Sequence, residues 1–210
     1  MKKIDFKKEY KQYYLPKNKP EIIKIPSMNF LAIRGAGDPN EPDGMYAQAI
    51  SKLYAISYTI KMKGKHLEGY YEYVVPPLEG FWWMDGLKGV DYNHKEKFRW
   101  ISVIRLPDFV SKTDVEWAIS LATETKKKDY SAVEFFVYDE GECVQMMHIG
   151  SYDDEPQTLA VMNDFLKEQG YEPDFEPRMH HEIYISDPRK TEADKLKTVI
   201  RHPVKLTTLK

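Results

Sequence analysis

The stretch HHEIYISDP, residues 180 to 188, sets a carboxylate and a phenol two residues apart. Alternation along an extended strand sends Glu182, Tyr184 and Ser186 to one face and His181, Ile183 and Ile185 to the other. A carboxylate held among aromatic rings supports two kinds of chemistry. It pairs with a flat or lipophilic cation, which the ring faces also attract. Desolvated against the rings, its pKa rises, which suits general acid–base work. Residues of the same kinds recur elsewhere. Glu79 lies in PPLEGFWW (76–83) with Trp82 and Trp83, and Tyr54 and Tyr58, four apart, share one face of a helical segment. Converging on one cleft, these would give aromatic walls and one or two buried carboxylates. Each also has a plainer reading: Glu182 as a surface residue, one of the adjacent tryptophans as core, the tyrosine pair as packing.

Other chemistries find less support. His180, His181 and Glu182 are consecutive and His148 is a further candidate ligand. Strand neighbours point to opposite faces, however, so His180 and His181 do not readily share an ion, and no H-x3-H, H-E-x-x-H or C-x2-C spacing occurs. No metal and no cofactor is expected. There is no G-x-S-x-G elbow, and Cys143, alone in the chain, reads as a small strand residue rather than a nucleophile. GAGDPN (35–40) lacks the spacings of a phosphate loop and reads as a turn.

The composition is that of a soluble globular protein, 42% hydrophobic and 30% charged, with 13% aromatic residues led by fifteen tyrosines. A chain of 210 residues can bury roughly 70% of its unfolded surface without a disulfide. The start, MKKIDFKKEY, lacks the apolar run of a secretory signal, and no run approaches the ~20 residues of a membrane helix, so a cytoplasmic location is expected, with no membrane partner. Net charge is −2, yet residues 1–24 carry +5. Residues 1–20 read as a basic N-terminal arm, solvated or packed. Its charge without a groove-reading helix makes nucleic acid an unexpected partner. The remaining −7 favours cationic small ligands.

The elements that must position these residues follow from periodicity. EIIKI (21–25) and MNFLAIRG (28–35) read as a strand pair around Pro26. Ala49, Leu53, Ile56 and Ile60 trace a helical stripe over 45–63, stopped by Gly64. YYEYVVPPLEGFWW (70–83) reads as a strand, a proline corner and a second strand, and KFRWISVIRL (97–106) as a strand. Ser111 and Asp114 form a capping-box start for a helix to about Lys128. AVEFFVYDEGECVQMMHIG (132–150) reads as a hairpin turning at Glu140–Gly141. A helix from Pro156 to Gly170, the 180–188 strand, a short charged turn and a final strand TVIRHPVKL complete the chain. This order predicts an α+β fold of two similar β-α-β-β modules, about 21–106 and 107–210.

The segments ECVQMMHIGSY, GYEP and HEIYISDP, with MNFLAIRGAGDPN and VPPLEGFWW, resemble a stand-alone subgroup of the GyrI-like small-molecule-binding family, related to the effector-binding domains of multidrug-responsive transcription activators. The resemblance spans about residues 20 to 206. It implies two pseudo-twofold-related modules with a ligand cleft between antiparallel sheets, and a glutamate, here Glu182, facing bound cationic or aromatic compounds. Some relatives hydrolyse strained cyclopropane-bearing electrophiles with a glutamate and aromatic residues, for which Glu182, Tyr71, Trp82 and Tyr184 are the equivalents here, Glu182 and Tyr71 in the catalytic roles. No helix-turn-helix precedes residue 20, so a transcription factor is not expected. The leading expectation is a binder of hydrophobic, often cationic aromatic molecules. A hydrolase using the same cleft comes second, and a protein that sequesters a macromolecule through its basic arm third. Oligomeric state is left open.

Overall fold

The computed structural model describes residues 3–87 and 90–208. Nine strands join in one antiparallel sheet: β1 (Glu21–Ile25), β2 (Met28–Ala36), β3 (Leu78–Trp83), β4 (Arg99–Arg105), β5 (Glu134–Tyr138), β6 (Gly141–Ile149), β7 (Tyr171–Pro173), β8 (His180–Tyr184) and β9 (Lys197–Leu206). Their spatial order is β1-β6-β9-β8-β3-β4-β2-β5, with β7 beside β9. The order is a palindrome under the exchanges β1 with β5, β2 with β6, β4 with β9 and β3 with β8. Each module thus lends its first strand to the edge of the other. The modules meet at β3–β8, where Gly80 pairs with Glu182 and Trp82 with His180.

Two expectations change with this topology. The 132–150 segment forms no hairpin: β5 pairs with β2, while β6 pairs with β1 and β9. Residues 21–35 likewise form no strand pair, because β1 crosses to β6. Turn chemistry marked both reversals correctly, but it says nothing about which edge a strand joins. The strands of the two modules are also continuous through β3–β8, so one sheet runs across the junction of the modules. Residues 70–77 hold only an isolated bridge at Tyr73, and the strand begins after the prolines, at Leu78.

Helices cover one face. α3 (Met45–Lys63) and α4 (Lys112–Lys126) lie over the first module's strands, and α5 (Glu155–Gln169) over the second's. The α3 stripe of Ala49, Leu53, Ile56 and Ile60 is buried against Leu31, Trp100 and Ile104. Each of its three larger side chains contributes about 1.5–3 kcal/mol. Ser111 caps α4: its hydroxyl accepts from Asp114 N at 3.3 Å, and Ser111 N donates to the Asp114 carboxylate at 2.8 Å. α5 ends at Gly170, whose φ of +73° suits glycine.

The N-terminal arm covers the other face. Its short helices α1 (Phe6–Glu9) and α2 (Lys11–Tyr14) bury Phe6 and Tyr14 against Met147, Ile183 and Val199. Backbone bonds tie the arm at both ends, Val74 N to Ile4 O at 2.7 Å and Met147 N to Lys17 O at 2.9 Å. Lysines on its outer side give it the look of a solvated tail, yet its aromatic residues are core. Among the described residues, no helix is long and apolar enough to cross a membrane.

Candidate functional site

The pleat of β8 sends His180, Glu182 and Tyr184 to the helix-covered face and His181 and Ile183 to the arm side. On the helix side Glu182 meets Glu155, the first residue of α5. An oxygen of Glu155, one of Glu182 and a ring nitrogen of His180 all lie within 4.8 Å of one another. Glu155 is fully buried and Glu182 is 8% exposed, so the two carboxyls share a nearly dry space. The Tyr92 hydroxyl donates to Glu155 Oε2 at 2.7 Å, while Glu155 Oε1 has no partner. Burial, then the neighbouring Glu182 charge, holds the Glu155 carboxyl well above the usual range.

Aromatic rings enclose the pair. Tyr184 accepts from Trp82 Nε1 at 3.0 Å across the seam, and the Tyr152 ring meets Tyr184 edge-on at 5.8 Å. Tyr46, from the first turn of α3, packs on Trp82 at 5.3 Å and on Trp100 at 5.1 Å. Burial followed by the Glu182 charge raises the phenols of Tyr152, to about 12, and Tyr184. Burial also raises those of Tyr46 and Tyr92. All four hydroxyls stay protonated as donors. The loop carrying Tyr152 and Glu155 is held by His148, whose Nδ1 contacts Thr158 Oγ1 and whose Nε2 donates to Ser151 O, both at 2.8 Å. That engagement makes His148 structural.

A second polar chain leaves Glu182. His180 Nε2 lies 2.9 Å from Glu182 Oε1, and His180 Nδ1 lies 2.6 Å from His202 Nε2. Burial, reinforced by His180, pushes the His202 pKa well below its ordinary value, so His202 is neutral. Glu155, His180 and Glu182 have the donor types of a cation site. In this arrangement His180 Nε2 is turned onto Glu182 Oε1.

Of the residues singled out from sequence, Glu182, Tyr184 and Trp82 come together. Tyr54 lies on the same side but along the helix, 6.4 Å from the exposed Tyr58. The others sit elsewhere. Glu79 and Trp83 point to the arm side, where Glu79 bonds His181 and Tyr14 and Trp83 packs near Phe81. Strand parity forces this, since Trp82 and Glu79 are three apart. Tyr71 packs on Phe109 at 5.0 Å in the cluster of Phe6 and Tyr14, likewise on the arm side. Cys143 is buried in β6. Sequence reasoning did not bring Glu155, His202, Tyr46, Tyr92 or Tyr152 to Glu182, and it weighed His180 only as a metal ligand. The alternation that grouped Glu182 with Tyr184 also included His180. Glu155 was masked because acidic residues are ordinary in a helix's first turn.

The family model described as a GyrI-like small molecule binding domain matches residues 18–205. An uncharacterized conserved protein from Listeria innocua is 48% identical, with 97% of this chain and 100% of that one covered and a TM-score of 0.91. A structure described as a hydrolase, also from Listeria innocua, is 46% identical over 97% of this chain and 100% of that one, with a TM-score of 0.87. The C-terminal domain of EcmrR, at 16% identity over 90% of this chain and 98% of that one and a TM-score of 0.54, shares the fold. None of the curated proteins matches.

Proposed function

The chain belongs to the GyrI-like small-molecule-binding family, and from that premise we propose that it binds a hydrophobic, electrophilic aromatic molecule over the β3–β8 seam and adds water to it. One observation carries the proposal: two buried carboxyls lie within 4.8 Å of one another among aromatic rings, and burial with the Glu182 charge raises the Glu155 pKa. A carboxyl whose pKa is raised by burial is suited to donate a proton beside a second carboxylate that accepts one. The fit of the chain to a hydrolase from Listeria innocua over 97% of its length adds support.

The residues divide the work as follows. The rings of Trp82, Tyr46, Tyr152 and Tyr184 hold the aromatic part of the substrate and exclude water. Glu182 takes a proton from one water, whose oxygen bonds to the electrophilic carbon. The strained carbon–carbon bond of a cyclopropane-type group breaks, and its electron pair takes the proton of Glu155. Glu182 then holds the water's proton and Glu155 has lost its own, so transfer between them restores the pair. Such paired proton transfer supplies typically 10²–10⁴-fold in rate.

The same box suits a lipophilic cation, which would pair with Glu182 between the rings. Binding alone is therefore the competing reading. Incubating the protein and a Glu182→Gln variant with a cyclopropane-bearing aromatic electrophile, followed by mass spectrometry, separates them. A time-dependent water adduct made by the parent alone supports the hydrolase. No adduct, with parent-specific binding of lipophilic cations, leaves a binder.

A further inference from the structure

The proposed reaction uses Glu155 and Glu182 and leaves His180 and His202 without a role. Both imidazoles are costly to bury: His180 is 1% exposed and His202 5%. They form a continuous chain from Glu182, through contacts of 2.9 Å and 2.6 Å. Among the described residues, His202 Nδ1 is buried and has no hydrogen-bond partner. A cleft of about 390 Å³ reaches His180 and His202 but neither glutamate, and Phe175, Glu172 and Lys205 help to line it. Its volume holds several waters. Phe175 meets the His202 ring edge-on at 4.9 Å.

We propose that His180 and His202 form a proton relay that loads and unloads the Glu155–Glu182 pair from this cleft while a ligand covers the pair. The inference rests on the Glu155–Glu182 reading of the site. A carboxylate only accepts, so His180 Nε2 carries the proton directed at Glu182. In the relay's resting arrangement His180 Nδ1 then accepts from His202 Nε2–H. His202 Nδ1 is left as the buried acceptor at the end of the chain, on a ring that lines the cleft. One transfer inward balances as follows: a hydronium ion in the cleft gives its proton to His202 Nδ1 and leaves water, His202 Nε2–H passes to His180 Nδ1, and His180 Nε2–H passes to Glu182 Oε1. The reverse sequence returns one proton to the cleft. Glu182 is itself 8% exposed, so a ligand lying over the pair covers its direct route to solvent and leaves the histidine chain as the second one. His202 touches no ligand in this scheme and acts only through His180.

The test reads proton movement rather than product. An aryl-phosphonium cation, mixed with the protein and a pH indicator in stopped flow, places positive charge beside the pair and expels its shared proton. The parent should release protons as binding proceeds. His202→Ala should slow that release at least tenfold, with less than twofold change in Kd, and imidazole added to fill the vacated space should restore it. His202→Gln retains a donor toward His180 but transfers no proton, so it should stay slow. Release at the parental rate in either variant overturns the relay, as does a slow rate that imidazole does not lift. Binding without any proton release in the parent instead sinks the acid–base pair itself. The relay is then judged alone by ¹⁵N coupling between His180 Nδ1 and His202 Nε2 in histidine-labelled protein, whose absence overturns it.

Discussion

His181 Nε2 lies 3.0 Å from Glu79 Oε2 on the arm side of the sheet, while Glu182, the next residue, lies on the helix side with His180 Nε2 2.9 Å from its Oε1. One step along a strand separates two buried polar networks. The arm-side network continues from His181 Nδ1 to Glu140 Oε1 at 2.9 Å, and from Glu140 Oε2 to Arg201 Nη1 at 2.9 Å. Burial disfavours charge on His181, but Glu140 and Glu79 outweigh it and hold its pKa above the ordinary value. Burial likewise opposes the Glu140 charge, yet His181 and Arg201 lower that carboxyl to about 2.

His181→Gln should therefore be severe. It leaves two buried carboxyls short of a cation, which typically costs 3–5 kcal/mol. The parent's stability should also carry the signature of this imidazole. A group whose folded pKa is raised contributes fully below its unfolded value, near 6.5, and loses that contribution as pH rises through the folded one. Urea denaturation at pH 6 and pH 9 should show a larger fall in the parent than in the variant, since other buried groups such as Glu155 titrate in both. Equal falls in both proteins would assign the effect elsewhere.

Glu155→Gln should move stability and activity in opposite directions. The folded pKa of Glu155 lies well above its unfolded value of 4.5, so stability declines as pH rises from there through the folded value. Glutamine does not titrate and can still accept from Tyr92. At pH 8 the variant should be more stable by about 1–3 kcal/mol, a rise in Tm of roughly 2–4 °C for each kcal/mol. Near pH 4 the two proteins should melt together. Turnover of an electrophile should fall by about 10²–10⁴-fold for want of the proton donor. A variant that melts lower at pH 8 would contradict the buried-acid account.

How far the sequence carried these assignments depends on range. Alternation in HHEIY and the stripe of Leu53, Ile56 and Ile60 are local patterns, and the elements they imply are present. Gly141 marked a true reversal, but the partner of β5 is β2, more than a hundred residues earlier. That exchange depends on tertiary packing of two modules, which no turn residue encodes. Glu155 and Glu182 are 27 positions apart in different elements, and only the packing of α5 on β6 and β9 brings them together. Glu79 failed as a site residue for a simpler reason: its parity within β3 differs from that of Trp82.

Gly80 tests the seam. A Cβ at this position would stand 2.6 Å from Trp82 Nε1 and 3.1 Å from the Tyr184 hydroxyl. Gly80→Ala should thus displace the indole and break its 3.0 Å bond to Tyr184. Overpacking of this kind costs about 1–3 kcal/mol. Because the displaced ring walls the site, ligand affinity should fall with it. Unchanged affinity, with the expected loss of stability, would place the ligand away from Trp82.

The arm supplies the last prediction, because its charge and its packing suggest different roles. Phe6 is 1% exposed, and the Arg105 guanidinium lies over Phe6 at 4.9 Å and over Tyr10 at 4.5 Å. Arg105 Nε and Nη1 have no hydrogen-bond partner, so these rings are the chief company of a buried cation. Phe6→Ala removes a core ring and half of that sandwich, and a loss of about 3–5 kcal/mol is expected in chemical denaturation. Lys8 and Lys11 are exposed, and replacing both with glutamine should leave the melting temperature unchanged. This contrast makes the arm a cover for the His181 network rather than a charged tether. The reverse pattern, a tolerated Phe6→Ala with stability lost on neutralising the lysines, would require the arm to be held by charge.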